Sequence, residues 1–380
     1  LFVCLFFSHS TGNKWRSRRR LFTPAFHFRI LEDFSSAINS HSMVLADILG
    51  KKSLDHNGVD VVPKVTLCTL DIVCETIMGK VLNAQSNEDL AYVKALLRYS
   101  ALVMQKFEQE KRSEIKAAQV SKYRSCARVI CTVLKLLELC YCVDISFVTN
   151  QSTLVSQIPM EEGITPLNTI AASLIFFTIC LQGHDTTAVG ISWALFLIGL
   201  SPLEQQKIHD ELDFIFGDDT ERHVTIEDMK EMRYLECVIK ESQRLYPSVP
   251  FYSRLCEEPF ELGGTMLPKG TVVQVSNYFL HRDPKVFPKP EEFRPDRFLP
   301  ENSKGRHPFA YVPFSAGSRN CIGQKFAMSE EKIVIANILR RYKLRSLDQR
   351  DQVGLIADMV LRPKSGIRIK FIPRTSSKGA

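Results

Sequence analysis

Apolar positions dominate residues 163–200, where IAASLIFFTICL opens a run that continues through Leu200 and is broken only by the polar QGHDTT at 182–187. The stretch 163–183 carries no charge, and a membrane span needs about 20 such residues. Pro166 and Asn168 at its start, and an acid beside two hydroxyls at its middle, favour instead one long buried helix. A second helix is predicted at 225–245. Thr225 and Asp228 have capping-box spacing, Met232, Leu235, Ile239 and Ser242 form one stripe, and Tyr246-Pro247 stops it. TLCTLDIVCETIMG (66–79) reads as a buried helix ended by glycine, and residues 324–342, apolar nearly all round over 333–339, as a final one. In WRSRRRLFTPAFHFRI (15–30) the proline ends or kinks a helix.

Elsewhere the pattern shortens. Residues 251–279 carry short β-rich runs around Gly263-Gly264 and Pro268-Lys269-Gly270, the mark of hairpins. Five prolines between 284 and 300, interleaved with Phe287, Phe293 and Phe298, predict a packed coil without regular structure. Residues 108–122 read as a solvated helix or mobile arm, and 126–160 show no clean period. The predicted fold class is mainly α with small β-sheets, α+β, with a β-rich portion at 246–280 and an irregular meander at 281–323.

Composition narrows the function less than the pattern does. With 380 residues, 45% hydrophobic and 24% charged, the chain is an ordinary globular one. A net charge of +7 does not demand nucleic acid. The 11 cysteines are scattered, with no C-x-x-C or H-E-x-x-H, which fits reduced thiols rather than a zinc site or disulfide framework. The leading LFVCLFF is too short to anchor a membrane protein by itself.

FSAGSRNCIG (314–323) sets Cys321 behind a glycine-bearing turn, next to Arg319, at the mouth of the last predicted helix. A thiolate there would accept backbone N–H groups, and the helix dipole and the cation would lower its pKa. Gly317 and Gly323 would let the backbone pass close to a flat cofactor, Phe314 could pack against the sulfur, and Arg319 could pair with a carboxylate. A cysteine considered by itself is more often an inert buried thiol.

Three further groups stay open on residue type alone. Glu241 and Arg244, three apart and off the apolar stripe, have the spacing of a solvated ion pair worth about 0.2–0.5 kcal/mol. Asp185 and Thr186 read either as a locally satisfied polar patch or as a turn whose threonine bonds a carbonyl one turn back. Trp15 and Arg19 share a helix face that could hold carboxylates, while Lys14, Arg16, Arg18 and Arg20 around them read as a nucleic-acid cluster.

FSAGSRNCIG resembles the haem-binding loop of the cytochrome P450 superfamily, F-x-x-G-x-R-x-C-x-G, at every fixed position. The resemblance implies one haem-thiolate monooxygenase domain over 1–380, a P450 fold incomplete at its N-terminus, with Cys321 as axial thiolate on the haem iron. It extends to an E-x-x-R helix and to KPEEFRPDRF, which adds Arg297 to Glu241 and Arg244 as a structural triad. Such a buried glutamate needs both arginines, because an orphan buried charge costs about 3–5 kcal/mol. QGHDTT is similar to the superfamily's oxygen-activation turn, implying Asp185 and Thr186 as catalytic groups in proton delivery. W-x-x-x-R implies Trp15 and Arg19 at the haem edge, with Arg254 and Arg319 on the propionates and Phe314, Gly323 and Gln182 lining the cofactor. The outward arginines then become a docking surface for an acidic redox partner.

STGNKWRSRRRLFTPAFHFRIL, CTLDIVCETIMG, GHDTT and PFSAGSRNCIGQKFA together are similar to family 4 of the superfamily, above all its insect members, over about residues 9–105 and 183–375. That likeness implies oxidation of a fatty acid or related apolar lipid at or near its terminal carbon. It also implies electrons from NADPH through NADPH–cytochrome P450 reductase, with cytochrome b5 as a second donor, a site on the cytosolic face of the endoplasmic reticulum membrane, and no nucleic acid. The chain begins where the family's tryptophan helix begins, so the membrane anchor is expected to be absent, and residues 108–181 do not resemble the family. Two other readings compete: a non-catalytic haem-binding remnant or partial gene product, and a basic membrane- or nucleic-acid-associated protein built on the arginine cluster and 163–183.

Many family 4 members place a glutamate one turn before the helix threonine, esterified to a haem methyl. Gln182 stands at that point here, four residues before Thr186 and on its face. An amide is a poor ester-forming group, so haem b is predicted to be non-covalent. Acidified organic extraction will strip all haem from the protein, and haem that stays with the polypeptide contradicts this.

Overall fold

A computed structural model describes residues 12–26, 28–52, 58–88, 93–94 and 166–374. The readings for LFVCLFF, 108–122 and 126–160 lie outside the described residues. The helices are α1 (Gly12–Phe22), α2 (Phe28–Lys52), α3 (Val61–Met78), α4 (Pro166–Leu200), α5 (Pro202–Phe216), α6 (Ile226–Glu231), α7 (Arg233–Leu245), α8 (Asn277–Leu280), α9 (Pro300–Ser303) and α10 (Gln324–Arg341). The strands are β1 (Val59–Asp60), β2 (Phe251–Leu255), β3 (Phe260–Leu262), β4 (Thr265–Leu267), β5 (Val272–Ser276), β6 (Tyr342–Ser346), β7 (Leu355–Ala357), β8 (Leu361–Pro363) and β9 (Arg368–Pro373). The chain is thus mainly α with small antiparallel sheets, in the orders β1-β9-β6, β2-β5, β3-β4 and β7-β8. It divides into two compact units. Leu1–Ile48, Pro63–Ala188 and Lys325–Glu330 form the first, and Leu49–Val62, Val189–Gln324 and Glu331–Ala380 the second.

In the first unit α1 ends at Phe22, and Thr23 Oγ1 donates to the Arg19 carbonyl at 2.7 Å as Pro24 enters a 3-10 turn. Phe34, Ile38 and Leu45 form the buried stripe of α2. α3 is buried nearly all round, from Val65 through Ile77, as its composition predicts. Asp71, the buried acid within it, accepts the amides of Ala84 (2.6 Å) and Gln85 (3.0 Å), so its charge is used to close the turn that comes after α3. Gly79, at φ +66, ends the helix in a conformation that suits glycine. The polar QGHDTT does not interrupt α4, which runs unbroken for 35 residues. Among the described residues no single helix is long and apolar enough to cross a membrane.

In the second unit the core is built on the end of α4 and on α10. Trp193 is fully buried, stacks on Tyr246 at 4.2 Å and donates its indole N–H to the Leu361 carbonyl at 2.8 Å. Residues 333–339 of α10 are buried throughout, Asn337 included.

Three local readings are corrected. The single helix expected over 225–245 is two helices, α6 and α7, with Met232 between them at ψ 64. The capping box at Thr225 and Asp228 is present, but α7 has its own start: Glu211 of α5 accepts the amides of Tyr234 (2.6 Å) and Leu235 (2.9 Å). The second hairpin expected at Pro268-Lys269-Gly270 is a turn that returns β5 to β2, with Thr271 N on the Pro268 carbonyl and Gly270 at φ +90, and the run then ends in the short helix α8 rather than in strand. The proline-rich coil holds regular turns after all. Pro295 begins a 3-10 turn (Pro295–Phe298) and Pro300 begins α9, because a proline's missing N–H costs nothing in a first helical turn.

Candidate functional site

The most constrained polar contact of the second unit lies on the face of α7 away from its apolar stripe. Arg244 Nε and Nη2 donate to the two oxygens of Glu241 at 2.7 and 2.9 Å, and both side chains have zero exposure. Arg297 Nε lies 3.4 Å from Glu241 Oε1, and the Arg294 amide donates to the same oxygen at 2.8 Å. The remaining donors go to coil carbonyls. Arg244 reaches His281 (3.0 Å) and Glu292 (3.1 Å), and Arg297 reaches Lys289 (2.8 Å). Arg306 then bonds the Arg297 carbonyl at 2.6 Å and covers the Phe287 ring. Burial pulls the Arg297 pKa down while the Glu241 charge opposes that shift. Periodicity alone would leave Glu241 and Arg244 in solvent; the coil over 281–297 packs on that second face and removes them from water.

His281 connects this coil to the cysteine loop. The ring is fully buried, and its Nε2 accepts the Val312 amide at 2.9 Å. Burial, then the charges of Arg244 and Arg282, push its pKa down to about 3, so the imidazole is neutral and keeps its acceptor. Sequence reasoning missed this residue, since nothing in the local pattern marks a histidine as an acceptor for an amide 31 positions away.

From Val312 the chain turns twice. Ser315 N donates to the Val312 carbonyl at 2.9 Å, with Ser315 at φ +60 and Gly317 at φ +75. A 3-10 turn over Gly317–Arg319 comes next, and Cys321 N closes the loop on the Phe314 carbonyl at 2.9 Å. Gly317 therefore answers a backbone conformation that few other residues adopt, whereas Gly323, at φ −89, precedes α10 without needing one. No side chain caps α10 at Gly323 and no acid lies in its first turn, which leaves the helix start favourable to a nearby anion.

Cys321 is exposed, while Cys68, Cys74, Cys237 and Cys256 are buried. Burial raises the Cys68 thiol pKa well above its usual value and pushes that of Cys237 up to about 11, which makes both poor thiolates. Two guanidiniums accompany the loop. Arg254 of β2 donates to Ser315 Oγ at 2.9 Å, and Arg319 sits half-buried with its pKa lowered by burial and then by the Arg254 charge, against the attraction of Glu257. An exposed sulfur and two cations that repel one another form a donor set that fits a metal-bearing ring with two carboxylates.

The first unit holds the remaining candidates. Trp15 and Arg19 are both half-buried on α1. On α4, Asp185 is buried and Thr186 half-buried. The tighter back-bond to the Gly183 carbonyl comes from Thr187 Oγ1 at 2.9 Å, with Thr186 Oγ1 at 3.4 Å. The side chain of Gln182 lies outside the described residues.

The sequence is similar to known proteins along most of its length. A sequence model of the family described as Cytochrome P450 matches residues 5–116 and 151–371. The unmatched interior, 117–150, is narrower than the 108–181 stretch that the sequence sets apart. The chain is 41% identical to Cytochrome P450 4c3 of Drosophila melanogaster, over 96% of this chain and 73% of that protein. It is 40% identical to Cytochrome P450 4V2 of Homo sapiens, over 97% and 74%, and 35% identical to Probable cytochrome P450 4d20 of Drosophila melanogaster, over 96% and 76%.

The neutral His281 sets a pH dependence. Folded, it stays unprotonated down to about pH 3, whereas an unfolded histidine takes its proton near about 6.5. Stability is therefore full above that value and falls as pH drops through the window, by about 1.4 kcal/mol per pH unit for this one residue. His209, pushed down to about 4 by burial and Arg374, adds a parallel loss. In denaturant unfolding, His281→Gln, whose amide still offers an acceptor, will lose less stability between pH 6.5 and pH 5 than the unaltered protein. Equal losses contradict this role.

Proposed function

The chain belongs to the cytochrome P450 family, within its family 4, and from that membership we propose that this haem monooxygenase inserts one oxygen atom of O2 into a C–H bond of a fatty acid or related lipid, at or near its terminal carbon. The observation that carries the reading is the exposed Cys321 on a twice-turned loop, beside two guanidiniums and before an uncapped helix start. Cytochrome P450s bind haem b and draw electrons from NADPH through a reductase, and with Gln182 where many family 4 members carry an ester-forming glutamate the haem of this chain is non-covalent.

Cys321 Sγ would hold the haem iron as a thiolate. Bound haem would supply dioxygen activation. Other residues of the chain would bind, orient and protonate. Arg254 and Arg319 of the second unit would pair with the two propionates; their mutual repulsion supports this, since a dianion relieves it. The clamp of Glu241, Arg244 and Arg297 fixes the coil that leads to the loop, and His281 fixes the loop's first amide. Asp185 takes protons from the solvent side and Thr186 Oγ1 passes them on. The threonine back-bonds to Gly183 support such a turn, because they loosen a helix locally and leave polar atoms in place.

NADPH–cytochrome P450 reductase and cytochrome b5 reach the protein on its basic surface, which includes the exposed Arg16 and Arg20 of α1. The setting is the cytosolic face of the endoplasmic reticulum membrane, where a lipid substrate is concentrated.

Supplied with haem, reductase and NADPH under isotopically heavy dioxygen, the protein will convert long-chain fatty acids to hydroxy acids carrying one labelled oxygen, with NADPH and product in nearly equal amounts. NADPH consumption that ends in peroxide for every chain length contradicts the proposal and leaves a haem-binding protein without this catalysis.

A further inference from the structure

Thr69, in the middle of α3, makes a contact that neither the fold nor the proposed site accounts for. Its Oγ1 donates to the carbonyl of His184 in α4 at 2.9 Å, across 115 residues of sequence. Both residues are buried within the first unit. A buried hydroxyl must find an acceptor, and in a helix the nearest is its own backbone. Thr76, seven residues along the same helix, does that, donating to the Ile72 carbonyl at 2.6 Å. Thr69 has the Thr66 carbonyl within 3.2 Å, yet its shorter bond goes outward. Val73, one turn further along the same face of α3, stands over Gly183, where an added Cβ would lie 3.5 Å from Cγ2. α3 therefore grips α4 at two successive residues, 183 and 184.

That grip sits immediately before Asp185. The His184 carbonyl and the Asp185 amide share one peptide plane, so a bond to the carbonyl oxygen fixes the plane from which the Asp185 side chain projects. A helix carbonyl spends one lone pair on its own helix and has a second to give. The preceding carbonyl, of Gly183, is engaged by Thr187 at 2.9 Å. Two consecutive carbonyls on the N-terminal side of Asp185 thus each take a threonine hydroxyl, one from within α4 and one from α3.

We propose that Thr69 is a positioning residue that sets the geometry of the Asp185-Thr186 turn and so the efficiency of proton delivery. The inference rests on Asp185 and Thr186 acting as the proton relay. Thr69→Val keeps the side-chain shape and removes the hydroxyl; Thr69→Ser keeps the hydroxyl. With haem, reductase, NADPH and lauric acid as probe, Thr69→Val will retain its haem and a thiolate-type spectrum with carbon monoxide. Its product per NADPH will fall by about threefold to tenfold, the equilibrium factor of one neutral hydrogen bond, with peroxide rising to match. Thr69→Ser will restore coupling. Should Thr69→Val lose its haem, Thr69→Cys, of similar size and a weaker donor, carries the test, with partial uncoupling expected.

Full coupling in the haem-loaded Val or Cys variant, or a Ser variant as uncoupled as Val, overturns the proposal. Thr186→Ala runs alongside. If it uncouples while Thr69→Val does not, Thr69 alone has been misassigned. If Thr186→Ala stays coupled, the relay reading fails and the role of Thr69 falls with it.

Discussion

A carboxylate and a guanidinium without any exposed surface, Glu241 and Arg244, govern the way the chain is laid out before its cysteine loop. Each ion loses hydration worth several kcal/mol on burial, and a single opposite charge does not return all of it (a partner removed would leave a deficit of about 3–5 kcal/mol). The protein meets the deficit with backbone. The His281, Glu292 and Lys289 carbonyls and the Arg294 amide point at the charged groups, so an irregular coil is ordered by the need to solvate ions. No regular hydrophobic period runs through that segment, although Phe287 within it is fully buried beneath Arg244 and Arg306.

The consequence travels by contact. The coil carries His281, His281 holds the Val312 amide, Val312 begins the first turn, and Phe314 receives the Cys321 amide. Each link is a single hydrogen bond of ordinary length, and the end of the series is an exposed thiol, whereas Cys68, Cys74, Cys237 and Cys256 are buried. Electrostatics separates the two kinds of sulfur. Burial holds Cys68 and Cys237 as thiols, while Cys321 is exposed on the loop that carries Arg319, just before an uncapped helix start.

How much the sequence made legible depends on the range of the forces involved. The helices α3, α4 and α10 were readable because burial along most of a helix needs apolar residues in a local period. The cysteine loop was readable because its turns require particular residues at fixed spacing, Gly317 among them. The break at Met232 was not, since the acid that starts α7, Glu211, comes from another helix. Glu241 and Arg244 would have been assigned to solvent by pattern, and only the likeness of the KPEEFRPDRF segment pointed to their partner. His281 and Thr69 were invisible for the same reason: each acts on a backbone group 31 and 115 residues distant, and no local signature announces it.

Every functional assignment depends on Cys321 being the sulfur bound to iron. The most direct measurement is the optical spectrum of the haem-loaded, reduced protein under carbon monoxide, recorded for the unaltered chain and for Cys321→Ala, with circular dichroism to show that the helices persist. The red-shifted band of thiolate ligation is expected in the first and its disappearance in the second. The same thiolate band in both proteins would contradict the assignment.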